Sequence, residues 1–249
     1  MAKGIRVTVW GENVHERRNP IVRQIYPGGM HNCIAAALRE DRRLEVRTAT
    51  LEQPQHGLTK SVLAGSDVLV SWGHAAHGKV RETVVDRVLK RIWQGMGFVA
   101  LHSSHCSKIF KRLMGTSGSL TWREAGERER LWVCNPGHPI AHGIDKCFEI
   151  ENTEMYGEPF AIPMPDDVVF ISWFDGGEVF RSGCTWKRGN GKIFYSISVP
   201  GTRFTRSIII RSLGWSCATR CTGRRRKASR GWTGVRGSHF SRRARRSCA

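Results

Sequence analysis

Between Ile5 and Gly115 the chain alternates short apolar runs with amphipathic stretches, and this alternation constrains the fold more than any other feature. IRVTVW (Ile5–Trp10), LEVRTAT (Leu44–Thr50), DVLVSW (Asp67–Trp72) and GFVAL (Gly97–Leu101) have the length and composition of strands. Helical patterns stand between them: GGMHNCIAAALRE (Gly28–Glu40), VRETVVDRVLKRIWQG (Val80–Gly95), whose apolar residues fall on one face, and SKIFKRLMG (Ser107–Gly115). Strands that alternate with helices predict an α/β fold, a parallel sheet with helices on both faces. After Gly115 the pattern turns to shorter β pieces. VVFISWF and GEVFRSGCTW are joined by Asp175-Gly176-Gly177, and Arg188-Gly189-Asn190-Gly191 precedes KIFY. These predict an antiparallel addition packed on or beside the same domain.

Charge divides the chain in two. Residues 1–195 carry 26 Lys+Arg against 21 Asp+Glu, a net of +5, whereas residues 196–249 carry 14 Lys+Arg and no acid, the remaining +14. A net charge of +19 invites a nucleic-acid reading, but a near-balanced body argues against nucleic acid as its partner. Helical and strand periodicity fade after Ile208–Ile210, and GRRRK and SRRARR mark a shift of composition. The expected organisation is an α/β domain over 1–195 and a poorly ordered basic tail over 196–249. The eight cysteines lack metal-finger spacing and read as free thiols. No apolar run approaches the ~20 residues of a membrane span and the N-terminus lacks a signal-peptide core, so a cytoplasmic protein is expected, without a membrane partner.

In an open parallel sheet, ligands bind at the carboxyl ends of the strands. Three such ends carry polar side chains here: WGENVHE after the first strand (Trp10, Glu12, Asn13, His15, Glu16), SWGHAAH after the third (His74, His77) and HSSH after the fourth (His102, His105). Imidazoles and carboxylates on one rim can bind a divalent metal, act as general bases near neutral pH, or hold a polyol. Trp10 and Trp72 add flat faces on which sugars stack. A single loop histidine is most often a solvated bystander; four of them at two strand ends point to a site.

WGENVHE, SWGHAAH, ALHSSHCSKIFKRLMGT, LTWREAGERERLWVCNPGHPIAHGI and ENTEMYGEPF, in that order, resemble the trehalose-utilisation family ThuA over about residues 4–195. The resemblance implies a fold like that of class I glutamine amidotransferases, a flavodoxin-like parallel sheet with β additions. It also implies a role in the catabolism of trehalose and related disaccharides, with a partner oxidoreductase that makes 3-keto sugars. The chain departs from the amidotransferases where their nucleophilic cysteine sits on the turn after the strand corresponding to GFVAL. Here that turn holds His102, Ser103 and Ser104, and Cys106 is misplaced for glutaminase chemistry.

A second departure follows KIFY. Family members continue with Phe-Arg-Pro-Gly-His-Glu, and a one-base shift in codons that fit Ile197–Arg203 restores that sequence. Residues from about Ser196 onward are therefore expected to be an out-of-frame translation; a natural nucleic-acid-binding arm is the rival reading.

The function expected is processing of a disaccharide or its 3-keto derivative by metal-assisted isomerase, hydratase or lyase chemistry. His102, His105 and Glu12 are the expected catalytic groups, and His102, His105 and His74 the expected ligands of a divalent metal such as zinc. Trp10, Asn13, Trp72, His74, Ser103, Glu154 and Tyr156 are the expected substrate contacts. His138 and His142 are expected in structural turns. A non-catalytic sugar-binding module is the alternative, and glutamine amidotransfer through Cys106 a more distant one. Self-association is left open.

Overall fold

A computed structural model describes residues 4–197 and 203–217. The protein is mixed α/β, with one nine-stranded sheet in the order β2-β1-β3-β4-β9-β8-β7-β5-β6. The strands are β1 (Ile5–Gly11), β2 (Leu44–Thr50), β3 (Val68–Trp72), β4 (Gly97–Leu101), β5 (Thr121–Val133), β6 (Cys147–Gly157), β7 (Asp167–Phe174), β8 (Val179–Arg188) and β9 (Gly191–Ser196). The expected parallel sheet is present in part. Strands β2, β1, β3, β4 and β9 pair in parallel, and β9, β8, β7, β5 and β6 pair antiparallel. The antiparallel half continues the parallel half edge to edge through β9.

Side-chain alternation along the parallel strands fills two cores. Trp10, Leu69, Phe98 and Ala100 point to one face, where they meet α5 (Glu82–Trp93) and α6 (Lys108–Met114). Val7, Val9, Val68, Val70, Val99 and Leu101 point to the other, against α3 (Met30–Arg39) and α7 (Arg203–Cys217). Strands buried on both faces are mostly apolar along their length, which is why these runs read so clearly. In α5 the buried Val84, Val85, Val88, Leu89 and Ile92 recur at helical spacing, each stabilising the fold by roughly 1.5–3 kcal/mol. Ser107 caps α6 by accepting from Phe110 N at 3.1 Å, and Gly115 ends it in the left-handed region at φ 70°.

Two short helices, α1 (His15–Arg18) and α2 (Pro20–Ile25), lie between β1 and α3, and α4 (Lys60–Ala64) precedes β3. Asn19 caps α2 by accepting from the N–H groups of Ile21 and Val22.

The chain does not lose regular structure at Ser196. Ser196 closes β9, and α7 buries Ile208, Ile209 and Leu213 in the second core. One apolar stripe in a basic segment suffices for a helix to dock on a sheet. Residues 198–202 and 218–249, which hold most of the expected basic tail, lie outside the described residues. Among the described residues no two cysteines form a disulfide.

Candidate functional site

Register places the site. Trp10 pairs with Ser71, Gly11 with Trp72, and Trp72 with Leu101, so β1, β3 and β4 end on one edge and release their following loops side by side. A cavity of about 530 Å³ opens there. His15, Trp72, His74 and His102 line it from the parallel half; Glu124, Asn152 and Glu154, from β5 and β6, close the opposite wall. The latter pair antiparallel, Trp122 opposite Tyr156 and Arg123 opposite Met155, which carries Glu154 over the strand ends.

His102 is the centre of the arrangement. It is the first residue after β4 and has φ 50°, a left-handed conformation uncommon for a residue with a Cβ. Its imidazole lies between Trp72, centroids 5.2 Å apart and planes at 5°, and Tyr156, at 5.0 Å and 14°. With both faces covered, only the ring edge is available. Nδ1 lies 3.3 Å from the carbonyl oxygen of Ile197, and Nε2 lies 2.9 Å from Glu154 Oε2 and 3.4 Å from the Tyr156 hydroxyl. His74 stacks on His15, centroids 4.4 Å apart, and its Nδ1 is 3.2 Å from Ser103 Oγ. Burial, with His15 and His102 nearby, holds the His74 imidazole below its ordinary value.

Of the residues expected at the site, His74, His102, Trp72 and Glu154 border the cavity, and Tyr156 backs His102 from behind. The others do not reach it, and each has a structural reason. Glu12 Oε2 accepts from the N–H groups of His74, Ala75 and Ala76 at 3.0, 2.7 and 2.6 Å, while Oε1 lies 3.0 Å from His77 Nδ1. Its carboxylate is thus spent on the loop after β3 and is no catalytic group facing substrate. Burial pushes the Glu12 carboxyl up, but His77 and the backbone donors outweigh it and leave it below the usual carboxylate range.

His105 points away from the cavity into an aromatic cluster of Tyr156, Phe160 and Tyr195, with Nδ1 2.7 Å from the carbonyl oxygen of Gly118. Burial lowers its imidazole to about 4, so it is neutral at physiological pH. Ser103 donates to the carbonyl oxygen of Gly73 at 2.6 Å, and Trp10 is core, its indole N–H donating to His56 O at 3.0 Å. Asn13 lines a neighbouring cavity. His138 is a turn residue, as expected: its Nδ1 accepts from Ile140 N at 3.2 Å. Cys106 lies 3.5 Å from His105 Nδ1, outside the cavity, and burial pushes its thiol up.

The expected metal ligands do not converge. His105 is turned away and His74 is engaged with Ser103 and His15, so His102, His105 and His74 form no common shell. Among the described residues no three His, Cys, Asp or Glu side chains form a metal-binding group.

Sequence reading missed one group of consequence, Glu129 on β5. Only 1 % exposed, it accepts from Ser172 Oγ, and burial pushes its carboxyl up to about 7 despite the opposing influence of His102. In GERERLWV nothing distinguishes it from the partly exposed Glu127: alternation places both on the face of buried Leu131, and the register shift between Glu127 and Glu129 that separates them is not written in the sequence.

A parallel half-sheet whose strand ends frame a cavity of imidazoles, an indole and carboxylates defines an α/β protein with a candidate small-molecule site at the strand ends. Residues 6–198 match the ThuA family, described as trehalose utilisation, and the chain belongs to that family. No functionally curated protein matches its sequence. Its fold is similar to that of a ThuA-like protein from Parabacteroides merdae ATCC 43184, with TM-score 0.63, 16 % identity, and 91 % of this chain and 93 % of that one covered. A ThuA-like protein from Bacteroides uniformis ATCC 8492 aligns with TM-score 0.59 and 13 % identity, covering 87 % and 93 %. A cytoplasmic protein from Salmonella typhimurium aligns with TM-score 0.58 and 11 % identity, covering 85 % and 99 %. Among the described residues no helix is long and apolar enough to cross a membrane.

Proposed function

We propose that this cavity binds a disaccharide or its 3-keto derivative and that, on the keto form, the His102–Glu154 couple moves the proton alpha to the carbonyl, in an isomerase, hydratase or lyase reaction. Family membership supports carbohydrate utilisation. The observation that carries the chemistry is the 2.9 Å contact between His102 Nε2 and Glu154 Oε2 at the cavity wall. The His102 ring edge meets Glu154 Oε2 and orients it, and Glu154 is the group that accepts a substrate proton. Trp72 offers an apolar edge, Asn152 and Glu124 polar partners for hydroxyls, and His74 a neutral imidazole. A 3-keto substrate calls for an oxidoreductase partner that oxidises the sugar first, and the proposed setting is the cytoplasm.

The test is turnover and binding of trehalose and 3-keto-trehalose by the full chain. Glu154→Gln and His102→Asn are expected to lower turnover of the keto sugar by about 100-fold or more while binding persists. A binding module without turnover is the second reading, favoured by one observation: both faces of His102 and both its ring nitrogens are already engaged within the protein. Binding of either sugar with no product formed by the unmodified chain selects it.

A further inference from the structure

Beside the His102 cavity, and sharing Glu16 and Tyr26 with it, lies a second cavity of about 350 Å³ with different chemistry. Arg17 and Arg23 stand on its wall, Asn13 and Asn32 add amides, and Gly28-Gly29 bring in the amino end of α3. That helix is ten residues long, and its N-cap, Gly29, supplies no side-chain acceptor. Such an end carries partial positive charge. One carboxylate, Glu16, is already committed there, accepting from Met30 N at 3.0 Å. Arg17 pairs with Glu52, but both side chains are more than half exposed, and such surface pairs exchange partners at little cost. Arg23 donates to the main-chain oxygen of Arg17.

A separate observation points to a ligand. The His31 imidazole lines this cavity, is only 4 % exposed, and its Nδ1 has no hydrogen-bond partner among the described residues. A buried polar atom left unpaired carries a desolvation cost that nothing in the protein offsets. Only a glycine lets the backbone approach it so closely. Gly29 has φ 84°, and a Cβ there would lie 2.6 Å from Asn13 Oδ1 and 2.7 Å from His31 Cε1. Asn13 itself is left-handed at φ 52°. Two guanidinium groups and a helix end against one committed carboxylate favour an anion.

We infer that the second cavity is an oxyanion subsite for phosphate or carboxylate, and that the sugar taken by the adjoining His102 cavity carries such a group. The inference rests on the sugar reading of that cavity. The two cavities share Glu16 and Tyr26 in their walls and are immediate neighbours, as the two ends of one substrate require.

Calorimetric titration of the full chain at low salt with trehalose, trehalose 6-phosphate and inorganic phosphate tests this. The phosphorylated sugar is expected to bind about tenfold tighter than the neutral one. Arg17→Ala/Arg23→Ala should abolish that difference without weakening neutral trehalose, Arg17→Lys/Arg23→Lys should keep part of it, and raised salt should shrink it. Equal affinity for the two sugars, or a preference that survives the double alanine variant, overturns the subsite while leaving the sugar cavity standing. Inorganic phosphate binding as tightly as the phosphosugar, with loss in the double variant, supports the anion site and overturns its assignment to a sugar substituent. Phosphate binding without binding of either sugar overturns the sugar reading and leaves the subsite.

Discussion

His102 Nε2 and Glu154 Oε2 lie 2.9 Å apart although one residue ends the parallel half of the sheet and the other sits on its far antiparallel margin. The approach is made possible by the length of the β5–β6 pair, which reaches back over the strand ends. Trp72 and Tyr156 clamp the imidazole so that its edge, and no other part, meets the carboxylate.

The pair should therefore be coupled energetically. His102→Asn and Glu154→Gln, with the double variant, are expected to give a coupling of about 1–3 kcal/mol in a double-mutant cycle of unfolding free energy. Additive losses would mean that the two side chains do not interact. At the same position, φ 50° predicts that His102→Val is more destabilising than His102→Gly, measured by urea midpoint, because a β-branched residue resists that backbone conformation.

Glu12 is expected to act on stability. With three backbone N–H groups and His77 dependent on one buried carboxylate, Glu12→Ala should cost about 3–5 kcal/mol. Its carboxyl is held below the usual range, so its stabilisation is complete above the unfolded-state value and is lost as pH falls through the lower folded-state value. Acid-unfolding curves of the variant should lack this component; an unchanged curve would remove Glu12 from the account of the loop.

Opposed titrations should make the pH profile flatter than either group alone. His105, held at about 4, stabilises the fold above its unfolded value of 6.5, and that stabilisation is lost as pH falls toward 4. Glu129, raised to about 7 from 4.5, binds its proton more tightly folded than unfolded, so stability falls as pH rises through that interval. Denaturant unfolding of Glu129→Gln is expected to expose a rising slope between about pH 4.5 and 6.5, and to be more stable than the unmodified chain at pH 8 by up to about 3 kcal/mol. A slope identical to that of the unmodified chain would show that Glu129 does not titrate there.

Helix α7 decides how the basic segment is to be regarded. Leu213 and Ile208 are fully buried, so Leu213→Ala and Ile208→Ala should each cost about 2–5 kcal/mol, read from thermal or urea unfolding. If residues after about Ser196 are an out-of-frame translation that plays no part in folding, both substitutions leave stability unchanged. Sequencing the coding DNA tests the same reading independently.

Much of this protein was determined by sequence alone. Strands buried on both faces are mostly apolar along their length, and α5 repeats its apolar residues at helical spacing, so β1, β3, β4 and α5 are legible as local patterns. The strand-end rule then named the rim, and with it His74 and His102. What sequence could not decide is the direction in which each rim side chain points. Glu12 and His105 have the same chemistry as Glu154 and His102, but Glu12 meets three converging N–H groups and His105 an aromatic pocket, neither of which exists until the loops are packed. Nor could it place Glu154 opposite His102, or separate buried Glu129 from partly exposed Glu127, because both depend on the register of a long antiparallel pair whose residues are mostly polar. Local pattern fixes which segments are strands and helices; the environment that makes one imidazole a candidate acid–base group and another a neutral core residue is created only by contacts between segments distant in the chain.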